Sequence, residues 1–154
     1  MALQIILGPR PGKKSKDAIQ KQGVTDIVTL LSDKEQPASI QKLARNIEAN
    51  WHHFPIAGGH LDTLATVDLT KLFALFEHIE ATRCPVVYLH CSAGLHRTGF
   101  VTHLILRNRG LSWDTALARL QELRPVTAEQ VGEERLALAE AQFLNWSSGK
   151  IDRV

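Results

Sequence analysis

A chain of 154 residues with 44% hydrophobic and 22% charged content is long enough to bury a full core without disulfides or metals, and residues 1–154 read as one soluble globular domain. A net charge of +2 is too small to argue for a nucleic-acid or membrane partner, although it does not oppose an anionic ligand. Two cysteines point to a reducing compartment rather than to a disulfide scaffold.

The opening residues 1–7 are too short for a signal core, lack a basic start and run into Pro9, and no apolar run is long enough to span a bilayer. A cytoplasmic protein is therefore expected. Residues 3–7 read as a strand, ended by the Gly-Pro-Arg-Pro-Gly run at 8–12, which cannot continue a ladder. Lys13, Lys14 and Lys16 follow as a basic cluster, read as a solvated loop. Residues 17–22 form a short helix stopped by Gly23, and the β-branched run 24–31 forms a second strand. Residues 32–35 read as a loop. Ser39 is placed to cap a helix over 40–49, whose Ile40, Leu43, Ala44 and Ile47 share one face. Residues 51–56 are extended and lead to Ala57-Gly58-Gly59. A helix over 68–81 carries Leu69, Leu72, Phe73, Phe76 and Ile79 at helical spacing, with Leu75 widening that face.

Residues 86–90 form a short apolar strand that stops at Cys91. A loop of small residues then enters a helix that runs from Arg97 to Asn108 and ends at Gly110. Ser112 caps the next helix, which closes at Leu123 before Arg124-Pro125. Thr127 is expected to open the last helix, carrying Leu136, Leu138, Ala139 and Phe143 toward Trp146, with residues 147–150 as a frayed tail. Strands alternating with helices imply an α/β fold: a short, mostly parallel central sheet with helices on both faces. A ligand should bind at the carboxyl ends of the strands, where Cys91 lies.

A strand-loop-helix of this kind aims several backbone N–H groups and a helix N-terminus at one point, which makes an anion site. The field that binds an anion there also stabilises a thiolate at Cys91. Arg97, six positions beyond the cysteine, can close over the loop and offer a planar fork to two phosphate oxygens. A nucleophile at the floor of a phosphate cradle points to covalent phosphoryl transfer. The string His90-Cys91-Ser92-Ala93-Gly94-Leu95-His96-Arg97-Thr98-Gly99 resembles the signature loop of the cysteine-dependent protein tyrosine and dual-specificity phosphatases. The resemblance extends more loosely to the strand-and-turn opening of the chain and to the second strand.

The resemblance implies a mechanism without metal or cofactor, acting on a phosphorylated protein or another phosphomonoester. Cys91 would attack phosphorus and Arg97 would bind the phosphoryl oxygens. The backbone amides of Ser92, Ala93, Gly94, Leu95, His96 and Arg97 would complete the cradle. Thr98 would donate a hydrogen bond to the cysteine sulfur, a helix-capping role being compatible with this. His90 reads as a buried hydrogen-bonding strut rather than an acid-base group. His96 stands at the rim, either as a cation that favours a polyanionic substrate or as an exposed residue with no role. Cys84 is no redox partner for Cys91, since seven residues of strand separate them by about 23 Å at roughly 3.3 Å per residue.

The family's proton donor, an aspartate on a loop before the cysteine, has two alignments here. Reading from the strand, Pro55-Ile56-Ala57-Gly58 puts glycine in its place; counting back from Cys91 reaches Leu61, beside Asp62. Asp62 is the preferred acid, His60 and Asp68 the alternatives, and Asp68 can also serve as the N-cap of the following helix. Relatives that remove the terminal phosphate of RNA 5′-triphosphates often lack this aspartate, so that activity is a second reading. A phosphate-binding module with little turnover is a third. Gln130 could position the hydrolytic water or could close a capping box with Thr127.

Overall fold

The computed structural model describes residues 3–152. Four strands, β1 (Gln4–Gly8), β2 (Asp26–Thr29), β3 (Asn50–His53) and β4 (Val86–His90), form one sheet in the order β1-β4-β2-β3. All three pairings are parallel, so the sheet is wholly rather than mostly so. β4 takes a central place, with Leu89 opposite Leu7 on one side and Val28 on the other.

Side-chain alternation along the inner strands divides the core into two layers. Ile27 and Tyr88 pack with Ile19 of helix α1 (Lys16–Lys21) and with Ile40, Leu43 and Ala44 of α2 (Ala38–Asn46). Val28, Val87 and Leu89 point to the opposite face. There they meet α4 (Leu69–Glu80), α5 (His96–Asn108), α6 (Trp113–Leu123) and α8 (Glu133–Asp152) through Leu72, Phe76, Phe100, Leu104, Leu120 and Ala139. Burying each of the leucine, isoleucine, valine and phenylalanine side chains is worth about 1.5–3 kcal/mol, and helices on both faces are what a parallel sheet requires. Among the described residues no helix is long and apolar enough to cross a membrane.

Asp68 caps α4 by accepting from the Lys71 amide at 3.1 Å, and Ser112 caps α6 by accepting from the Thr115 amide at 3.2 Å. Elsewhere tertiary partners override the local patterns. Ser39 does not cap: α2 starts at Ala38, and the Ser39 hydroxyl accepts from Arg10 at 2.7 Å. Residues 33–35 tighten into a 3-10 turn, with Glu35 accepting from the Ser32 amide at 2.9 Å. A four-residue helix, α3 (Leu61–Leu64), occupies part of the expected loop.

The expected last helix is two. α7 (Pro125–Gln130) takes Pro125 in its first turn, so Thr127 is neither its start nor its cap, and Gly132 at φ +89° separates it from α8. α8 continues through residues 147–150 instead of fraying there.

Candidate active site

The site lies at the carboxyl end of β4, in the five-residue loop that joins it to α5. Cys91 is 3% exposed, Arg97 is 7% exposed and Thr98 is fully buried. Thr98 sits in the first turn of α5, where its hydroxyl donates to the Cys91 sulfur at 3.1 Å instead of capping the helix. Cys84 is exposed at the far end of the strand, and both cysteines are free.

The loop is shaped from outside. Four consecutive carbonyls each accept a hydrogen bond from a group outside the cradle. The Cys91 carbonyl accepts from His90 Nδ1 at 2.9 Å and that of Ser92 from the Arg10 amide at 2.8 Å. Arg124 Nη1 donates to the Ala93 carbonyl at 3.3 Å and to the Gly94 carbonyl at 2.9 Å, and the buried Thr127 hydroxyl donates to the latter at 2.6 Å. Among the described residues the amides of Ser92, Ala93, Gly94 and Leu95 donate to no group of the protein. They and the start of α5 are the donors an anion needs. Gly94 has φ +73°, and a Cβ on it would stand 2.2 Å from the Gly8 carbonyl oxygen, so only glycine passes here.

His90 is neutral and its tautomer is set by its partners. Nδ1 faces a carbonyl, so it carries the proton. Nε2 accepts from the Thr29 hydroxyl at 2.8 Å, which itself accepts from Trp51 Nε1 at 2.9 Å. Burial, only partly offset by the Cys91 carbonyl, lowers its pKa to about 4.

Arg97 is held by a residue that sequence reasoning passed over. Its Nη1 and Nη2 donate to the two carboxylate oxygens of Glu35 at 2.7 and 3.0 Å, and Nη1 also reaches the Ile56 carbonyl at 2.8 Å. Among the described residues the donors without a protein oxygen as partner are Nε–H and the second Nη2–H, while the Cys91 sulfur also interacts with this guanidinium. These two donors lie along one edge of the guanidinium, the fork that suits two oxygens of a phosphate. Burial opposes the Arg97 charge, but Glu35 and Cys91 more than offset this and raise its pKa. Hydrogen bonding to Arg97 lowers the Glu35 pKa to about 2, so the pair stays ionised at any physiological pH. The one local hint of Glu35 was the Ser32-x-x-Glu35 spacing of a capping box; its partner lies 62 positions away. Arg10, Arg124 and Thr29 left no local sign of their roles.

The segment after β3 passes over the loop. Its Ile56 carbonyl is bound by Arg97, and Gly59 packs so closely on His96 that a Cβ would stand 2.7 Å from the His96 Cβ. Arg135 Nε donates to the Gly59 carbonyl at 2.7 Å. Gly58 has φ +151°, a region open essentially to glycine, so a side-chain acid at that position would be strained. Asp62 lies three residues beyond Gly59 in α3, lining a shallow depression with His60, Glu134 and Arg135, and its carboxylate takes no hydrogen bond among the described residues. Asp68 is occupied as a cap. The His96 ring is exposed at the rim. Burial of one side, helped by Arg135 and Arg97, lowers its pKa against the pull of the Gln130 carbonyl. Gln130 thus meets the loop through its backbone.

A model of the tyrosine phosphatase family matches residues 10–119. Among solved structures, Tk-PTP in its active form is 22% identical, covers 91% of this chain and 90% of its own, and superposes with a TM-score of 0.71. PTPMT1 is 17% identical with 98% and 96% covered and a TM-score of 0.70. The core catalytic domain of the PP-IP phosphatase SIW14 from S. cerevisiae is 16% identical with 88% and 78% covered and a TM-score of 0.64. These likenesses are ones of fold. No functionally curated protein matches the chain.

Proposed function

Because this chain belongs to the tyrosine phosphatase family, we propose that it hydrolyses phosphomonoesters, on phosphoproteins or similar substrates, in two steps through a phosphocysteine at Cys91. The observation that carries this reading is the Thr98 hydroxyl, 3.1 Å from the Cys91 sulfur and pointing at it from the buried side. A hydroxyl donor stabilises a thiolate more than a thiol, which suits a sulfur that must leave phosphorus as a thiolate.

In the first step the sulfur forms a bond to phosphorus while the bond to the leaving oxygen breaks. The loop amides and the free edge of Arg97 hold the three remaining oxygens. Asp62 gives its proton to the departing oxygen. In the second step water attacks phosphorus, Asp62 takes a proton from it, the S–P bond breaks, and Thr98 receives the thiolate. Gly58 offers no proton and Asp68 is committed to its helix, which leaves Asp62 as the carboxyl on this segment without an internal partner.

One set of variants tests the scheme. Cys91→Ser should remove turnover of aryl and alkyl phosphates while keeping oxyanion affinity, and wild-type activity should survive chelators but be lost to iodoacetate, with phosphate protecting. Asp62→Asn should lose about a hundredfold on an alkyl phosphate and much less on an aryl phosphate, whose leaving group needs no proton. Turnover retained by the serine variant would sink the covalent route. An equal response of the asparagine variant on both substrates would move the acid to another residue, His60 first.

A further inference from the structure

We propose that Arg124 is a positioning residue for oxyanion binding, acting on the cradle through the peptide bonds of Ala93–Gly94 and Gly94–Leu95. In a trans peptide the C=O and the following N–H point in opposite directions. A donor that holds a loop carbonyl outward therefore aims the next amide inward. Arg124 Nη1 holds two such carbonyls, those of Ala93 and Gly94, and so sets the direction of the Gly94 and Leu95 amides. The same Nη1 is fixed by the Thr127 hydroxyl at 3.1 Å, and that hydroxyl itself binds the Gly94 carbonyl.

Charge separates Arg124 from the other three anchors. The His90 ring is neutral, the Arg10 contact is a backbone amide, and Thr127 is a hydroxyl. A guanidinium on the carbonyl oxygen polarises the peptide and makes the opposite N–H a stronger donor. Its positive field reaches the anion as well, from behind the loop and without contact. The close fit supports the assignment: a Cβ on Gly94 would lie 2.8 Å from Arg124 Nη1, so the guanidinium lies directly against the loop backbone. Arg124 ends α6 and precedes Pro125 of α7, which places this cation at the corner between two helices.

The inference rests on the reading of this loop as the phosphate site, and the test keeps the two apart by measuring binding without turnover. Tungstate titrations by calorimetry would compare the parent chain with Arg124→Ala, Arg124→Lys and Arg124→Gln. Affinity should fall about tenfold or more in the alanine and glutamine variants and less in the lysine variant. Guanidinium ion at tens of millimolar should restore tungstate affinity to the alanine variant without improving the parent. A simple loss of packing would not respond to guanidinium; if the alanine variant fails to fold, lysine against glutamine decides the role of charge. Equal tungstate affinity in parent and folded variants, or an alanine defect that guanidinium leaves unchanged, would overturn the proposal. Parent protein that binds tungstate but turns over no phosphomonoester would refute the phosphatase reading and leave this one standing.

Discussion

Burial holds the His90 imidazole at a pKa of about 4, whereas in the unfolded chain it takes up a proton near its ordinary value of about 6.5. The unfolded state therefore binds more protons between these values. The contribution of neutral His90 to stability is complete above pH 6.5 and is lost as pH falls through that window, with about 2 kcal/mol gone by pH 5. Urea denaturation at pH 7 and pH 5 should show this loss. The His90→Asn variant should be less stable at pH 7 yet lose less between the two pH values, and an unchanged pH response in the variant would contradict the assignment. At this scale the sequence was legible where partners lie close along the chain: Cys91, Arg97 and Thr98 fall within eight positions and belong to one local string. Glu35, Arg10 and Arg124 reach the same loop from 62, 82 and 30 positions away, and no local pattern announces them.

Helices α5 and α8 are joined by a polar cluster on the side of α5 away from its N-terminal turn. Glu140 accepts from Arg107 Nε and Nη2 at 2.8 and 2.9 Å and meets His103 Nε2 at 3.0 Å, while Arg107 also stacks over Phe143 at 4.7 Å. Arg107 in the first place holds the Glu140 carboxyl below its usual range, whereas burial lowers the pKa of fully buried His103 despite Glu140. Glu140→Ala strands both partners and should lower unfolding free energy by about 2–3 kcal/mol in urea denaturation. A change below about 0.5 kcal/mol would mean that the cluster contributes no more than an exposed pair.

Helix existence was readable, and so were the caps Asp68 and Ser112, because a capping side chain acts within its own turn; Ser39 and Thr127 were not, because Arg10 and Gly94 draw their hydroxyls away. Nor was the division of the last helix. Thr127 and Gln130 have the spacing of a capping box, but Pro125 starts the helix earlier and the Thr127 hydroxyl is drawn to Gly94. α3 is too short to show any periodicity.

For the whole molecule, alternation along β2 and β4 marks two buried faces, and that is enough to imply helices on both sides of a parallel sheet. Strand order leaves no comparable trace, since periodicity describes a strand and says nothing of its neighbour. The order has a consequence for how the protein forms. β1, made first, pairs with β4, so Gln4 must wait for Val86, and the Arg10 amide must wait for the Ser92 carbonyl. Closures of such length are slow compared with the winding of helices. The anion loop is therefore a late product of folding. During refolding from urea, the helical circular dichroism signal should recover before phosphate can shield Cys91 from iodoacetate. Simultaneous recovery of the two would place β1 in the earliest structure instead. A nascent chain would in turn carry an ordinary but unsheltered thiol until its first strand finds its seat, a window of chemical exposure written into the order in which the strands are made.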